Sequence, residues 1–391
     1  MQQLSPSPNK TAVFFPNLDG LRFFSFLAVF LYHCYLTLFS QLKSTSPVVN
    51  NILSFVFRHG YLGVNFFFVL SGFLITYLLL REREMNGVIH VGKFYLRRIL
   101  RIWPLYYLCI IIGFVLFPWL KHAQGEIPAE SANAVYYTFF AANFDYMHTW
   151  PVKPDAILLS VLWSVAVEEQ FYLSWPVLLR YIPFRLYGFI FTAIIIGSLI
   201  FRSFYTEPTE ADHAIRYFHT FSLIGDMAVG GLIAYLYTYA AVFRSWVIAL
   251  SKGAIAGIYM ITVLLVLFKS NIFPCGVPVI FERLVIAIFF GLIIAEQNFS
   301  DNSIFKIGKL RTISKLGIYT YGLYCLHLVG MYITVKVIAV LGLELQHLSV
   351  ALGAAILSLI LSILIALASY HFYEKWFLRL KDKFAFIVKT T

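Results

Sequence analysis

In the segment "LDGLRFFSFLAVFLYHC", residues 18–34, two side chains break an otherwise apolar run: Arg22 and His33. Eleven helical steps of about 100° return to within about 20° of the starting direction, and they separate the two residues by about 16 Å along the axis. One helix face therefore carries a guanidinium near a membrane rim and an imidazole near mid-membrane. Asp19 lies three residues before Arg22, within pairing range. A neutral imidazole can take a proton, which makes His33 a candidate general base. Each residue alone has a plainer role, Arg22 as a topology anchor snorkelling to headgroups and His33 as a hydrogen-bonding link between helices. The shared face is what favours chemistry.

Other polar residues inside apolar runs are few: Glu168, Glu169, Asp226, Glu296, His327 and His371. Ionisable groups in a bilayer are costly and usually face the protein interior. In "LWSVAVEEQFYLSWP", residues 162–176, Glu168 and Glu169 project about 100° apart, so one carboxylate is expected to point inward and to orient His33 or the hydroxyl it deprotonates. Trp163, Ser164, Tyr172 and Trp175 around them read either as part of that site or as an interfacial aromatic belt. In "GVNFFFVLSGFLI", residues 63–75, Ser71 and Gly72 mark either a close helix contact or a place where a ligand tail meets backbone. Arg98 and Arg101 sit at i and i+3, with "RIWPLYY" beginning at Arg101. Guanidinium forks beside aromatic rings suit a phosphate on an adenine nucleotide, although cytoplasmic positive charge alone would also place them there. No Walker-type glycine loop accompanies them. Cys34, Cys109, Cys275 and Cys325 are isolated, so neither a disulfide framework nor a metal site is expected.

The elements that must position these residues are membrane helices. Of 391 residues, 60% are hydrophobic and 13% charged. Ten apolar runs, near 22–42, 61–80, 102–120, 157–179, 186–205, 217–240, 247–268, 281–298, 316–341 and 349–373, each approach the length needed to cross roughly 30 Å of hydrocarbon. They are continuous rather than alternating, which excludes an outer-membrane barrel. With the N-terminus cytoplasmic, 21 of the 30 Lys and Arg residues fall on the inner side, and the acidic "GEIPAE" and "TEPTEAD" fall outside. The net charge of +11 is thus a topology signal and not a nucleic-acid footprint.

The expected architecture is all-α: a polytopic membrane protein of about ten transmembrane helices with both termini in the cytoplasm. It forms one domain over 1–391, with a polar leader (1–21), a retained first span rather than a cleaved signal peptide, and a basic tail (374–391). Residues 121–156 form an outer loop whose "VYYTFFAANFDYMHTW" is too short to span and reads as an interfacial or re-entrant element.

Taken in order, these motifs resemble the acyltransferase-3 family of bacterial membrane O-acyltransferases. The likeness rests on Arg22-x10-His33 after "LDGLR", "FFVLSGF" at 67–73, Arg98-x-x-Arg101, "WSVAVEEQFY", "YGLYCLH" ending at His327, and a closing "YHFYEKWF" in which Trp376 stands where the family has Pro. The resemblance implies transfer of an acyl group, commonly acetyl from acetyl-CoA, to a hydroxyl of a cell-envelope carbohydrate or similar acceptor, in a multi-pass inner-membrane protein without a tightly bound cofactor. It implies His33 as catalytic base, Arg22 as its partner, Arg98 and Arg101 toward the CoA phosphates, and Glu168, Ser71 and His327 lining or supporting the site. The rival reading is a proton-coupled transporter or flippase of an amphiphilic glycan or lipid, with His33, Glu168 and His327 as a proton path.

Overall fold

The computed structural model describes residues 15–43 and 45–382; positions 1–14 of the leader and 383–391 of the tail lie outside the described residues. Every regular element among the described residues is helical. Among the described residues nine helices are long and apolar enough to cross a membrane, and a tenth follows if Ala241–Ile248 and Lys252–Leu267, bent by 93°, count as one span. This is an all-α, multi-pass membrane fold.

Ten helices carry the argument: α1 (Pro16–Thr37), α2 (Leu62–Asn86), α3 (Val91–Ile111), α4 (Leu162–Tyr181), α5 (Tyr187–Ser203), α6 (Thr220–Tyr239), α7 (Lys252–Leu267), α8 (Val277–Phe299), α9 (Thr320–Val340) and α10 (Leu348–Ser369). Their ends differ from the apolar runs for local reasons. Pro16 opens α1 six residues before the run, because proline suits the first helical turn and Asp19 there complements the helix dipole. Gly87, with φ of +72°, stops α2 in the left-handed conformation that glycine adopts without strain. The second half of the basic stretch 81–101 is helical, as the one-turn spacing of Arg97, Arg98 and Arg101 predicts. It forms the opening turns of α3, so Arg98 and Arg101 sit on the same helix as the third span.

The seventh run, 247–268, departs most. Ser251 accepts a hydrogen bond from the Ala254 amide at 3.1 Å and starts a new helix there. The resulting α7 has 16 residues, about 24 Å, shorter than the hydrocarbon layer.

Two close approaches fix the helices around the site. A Cβ on Gly72 would lie 2.0 Å from the Met227 carbonyl oxygen, and one on Gly230 2.0 Å from that of Val69, so α2 and α6 meet backbone to backbone. Gly72 is thus a helix contact. Trp175 Nε1 donates to Thr76 Oγ1 at 2.8 Å and ties α4 to α2. At the start of α1, a Cβ on Gly317 would lie 1.9 Å from the Asp19 carbonyl oxygen, which presses the turn bearing Arg22 against the segment entering α9.

The loop over 121–156 forms two short helices, Ala134–Thr138 and Ala142–Thr149, neither of spanning length. Tyr106 donates to the Tyr137 carbonyl at 2.7 Å and Asn143 to that of Phe218 at 3.0 Å, which packs this loop onto α3 and the start of α6.

Candidate active site

A cavity enclosing about 760 Å³ of non-atom space, part of it open to solvent, lies between α1, α2, α3, α4 and the start of α9. Arg22 reaches it from α1, held by the Asp19 carboxylate at 2.7 Å. Arg98 and Arg101 reach it from α3, one turn apart as their spacing requires. Neither makes an ion pair among the described residues; Arg98 instead lies over the rings of Tyr172 and Phe94, 5.1 and 5.4 Å from their centroids. Three guanidiniums converging on one half-buried space favour an anionic occupant.

The opposite wall is polar. Ser71 of α2 donates to Glu168 Oε1 at 2.8 Å, and the Tyr172 hydroxyl lies 3.3 Å from Glu168 Oε2. Of the two adjacent carboxylates only Glu168 lines the cavity. Glu169 turns into packed protein, where its Oε2 accepts from Trp103 Nε1 at 2.9 Å. Glu168 bonds Ser71 and Tyr172 and makes no bond to His33.

His33 is joined to α9. His33 Nδ1 lies 2.9 Å from His327 Nε2, and His327 Nδ1 lies 2.8 Å from the Tyr324 carbonyl oxygen. His327 is fully buried, with the Phe26 and Phe30 rings edge-on to it. The histidine pair does not line the cavity. Tyr324 adjoins both: it lines the cavity, its hydroxyl lies 2.6 Å from Ser164 Oγ, and its ring centroid is 6.2 Å from that of His327.

The site thus has two parts: Arg22, Ser71, Arg98, Arg101, Ser164, Glu168 and Tyr172 surround the cavity, while the histidine pair packs outside it, with the Tyr324 ring beside that of His327. Trp163 belongs to neither; it is buried against Phe68, Tyr217 and Phe218 as part of an aromatic core rather than a belt facing headgroups. Tyr324 and Phe67, whose rings meet edge-on at 5.8 Å, are the residues that sequence reasoning passed over. Both stand inside quoted motifs, and Tyr324 precedes His327 by three residues, one helical turn.

Asp226 and Glu296 lie elsewhere and are structural. Asp226 accepts from Arg283, and Glu296 accepts from Ser303, Tyr259 and Gln297. His371 is exposed. No group of three or more metal-ligating side chains converges among the described residues.

Comparison with known proteins identifies the family. The O-acetyltransferase OatA of Staphylococcus aureus strain NCTC 8325 is 29% identical over 237 residues, which is 57% of this chain and 35% of the relative. A putative O-acetyltransferase of Staphylococcus aureus strain COL is 30% identical over 234 residues, again 57% of this chain and 35% of the relative. The chain spans about a third of the length of these relatives. No solved structure matches. A family model described as an acyltransferase domain matches residues 15–367, nearly the whole described chain, and the protein therefore belongs to the acyltransferase-3 family.

Proposed function

We propose that this protein is an inner-membrane O-acyltransferase, with both termini cytoplasmic, that moves an acyl group, acetyl foremost, from acyl-CoA to a hydroxyl of a cell-envelope carbohydrate. The observation that carries the reading is a pairing of two parts: three guanidiniums surround a half-open cavity, and one of its lining residues, Tyr324, packs against His327 of the histidine pair. The naming of both relatives as O-acetyltransferases agrees with it.

Arg98, Arg101 and Arg22 would hold the CoA phosphates, leaving the pantetheine arm to run along the wall of Ser71 and Glu168. Because α1 is continuous from Pro16 to Thr37, the rise from Arg22 to His33 is about 16 Å, a distance a long flexible arm can cover. His33 does not line the cavity, so the cavity wall must open for the thioester to reach it. There His33 removes the proton of the acceptor hydroxyl as its oxygen attacks the thioester carbonyl. The tetrahedral adduct collapses with cleavage of the carbon–sulfur bond, and the departing CoA thiolate takes the proton back from the imidazolium.

Mass spectrometry of envelope glycans tests this reading. Cells carrying the wild-type gene should show a glycan heavier by one acyl group, and cells carrying His33→Ala or lacking the gene should not. A modified glycan that persists with His33→Ala would remove His33 from the chemistry.

A further inference from the structure

The two histidine contacts specify more than proximity. A backbone carbonyl can only accept, so the contact between His327 Nδ1 and the Tyr324 carbonyl at 2.8 Å places a hydrogen on that nitrogen. His327 is fully buried among aromatic rings and bonds no carboxylate among the described residues, which favours the neutral ring. In a neutral imidazole the second nitrogen carries only a lone pair. His327 Nε2 is therefore an acceptor, and the atom 2.9 Å away, His33 Nδ1, carries the hydrogen between them.

That leaves the free lone pair of His33 on Nε2.

We propose that His327 is a positioning residue that selects the Nδ1–H tautomer of His33, so that Nε2 is the nitrogen presented to the acceptor hydroxyl. A free imidazole samples both tautomers, and the hydrogen bond made by one nitrogen decides the state of the other. When Nε2 takes the hydroxyl proton, the Nδ1–H to His327 bond becomes charge-assisted and stronger, which stabilises the imidazolium formed in the reaction. Tyr324 joins this relay to the cavity, since its carbonyl orients His327 and the residue lines the cavity. The proposal rests on His33 being the base, and its test is separable from that reading.

The tautomer can be read without substrate. Full-length protein labelled with carbon-13 and nitrogen-15 histidine is placed in lipid nanodiscs, and the His33 signals are identified by their loss in His33→Gln. Wild-type His33 should show a protonated Nδ1 and a bare Nε2, and His327→Leu should show a mixture of tautomers. In turnover, His327→Leu should lower kcat by about 10²-fold with KM for acyl-CoA changed by less than about twofold. His327→Gln, whose Oε1 can accept from His33 Nδ1 in place of Nε2, should stay within about tenfold of wild type. A hydrogen on Nε2 of wild-type His33 would overturn the proposal. So would equal losses in the Leu and Gln variants with the wild-type tautomer retained, because His327 would then be packing alone. A wild-type protein that transfers no acyl group would sink the functional reading while leaving the tautomer assignment testable.

Discussion

Arg283 and Arg101 both carry guanidiniums into the helix bundle, yet their surroundings differ in kind. Arg283 is buried and donates to Asp226; beside it Arg202 gives its donors to the carbonyls of Val279 and Ile280, at 2.6 and 3.0 Å, and to Ser222 at 2.9 Å. Among the described residues the buried Nε of Arg283 has no partner. The neighbouring cavity is small, about 230 Å³ against about 760 Å³ at the first site. Arg101 and Arg98, by contrast, make no ion pair among the described residues and face open space beside Arg22. The first cluster is paired largely within the protein and holds helices together, whereas on the proposed function the open one takes the phosphates of the donor.

That contrast can be broken from either side. Removing one partner of the paired cluster leaves a buried charge uncompensated, so Asp226→Ala should destabilise the fold by about 3–5 kcal/mol. Thermal unfolding in detergent should record the loss, and whatever protein remains folded should bind acyl-CoA normally. The open cluster should respond oppositely: Arg98→Ala with Arg101→Ala should raise KM for acyl-CoA by about 10²-fold, or roughly 3 kcal/mol, with little change in melting temperature. A double variant that melts early but binds CoA as before would reverse the two assignments. Gly72→Ala forces a methyl group against the Met227 carbonyl, and an overpacking cost of about 1–3 kcal/mol should appear in the same melting assay.

The smallest effect belongs outside the spans. Burial raises the Asp155 carboxyl, but hydrogen bonds from Lys121 at 2.5 Å and from the Ala129 amide at 3.0 Å outweigh it and hold the group below its ordinary value. A value depressed in the fold contributes stability above the ordinary carboxylate range, and that contribution is lost as pH falls through the folded value. Asp155→Asn should therefore cost about 0.2–1 kcal/mol near neutrality and nothing in strong acid. Melting curves at several pH values would show the two proteins converging.

The face shared by Arg22 and His33 was legible from spacing because α1 runs unbroken through both, and Arg98 and Arg101 were legible for the same reason within α3. The helical start of α3 was legible too, since Arg97, Arg98 and Arg101 recur one turn apart in the second half of the basic stretch. The break before α7 left a signal, the serine of "ALSKG", inside an apolar run that hydropathy alone carries through. Nothing local could pair His33 with His327 across 294 residues, nor tell Asp226 from Glu168, because partners arrive from distant helices. Trp163 was read toward the site through its neighbours Ser164 and Glu168, but helical rotation sends it into the aromatic core.

The central claim is that the His33 imidazole, paired with His327, performs the proton transfer while the arginine-lined cavity binds the donor. Its most direct test is single-turnover transfer of labelled acetyl from acetyl-CoA by the purified chain in nanodiscs, with CoA binding measured on the same samples. The account predicts that His33→Ala binds CoA within about twofold of wild type and transfers acetyl at least about 10²-fold more slowly. A His33→Ala protein that turns over at the wild-type rate would contradict it.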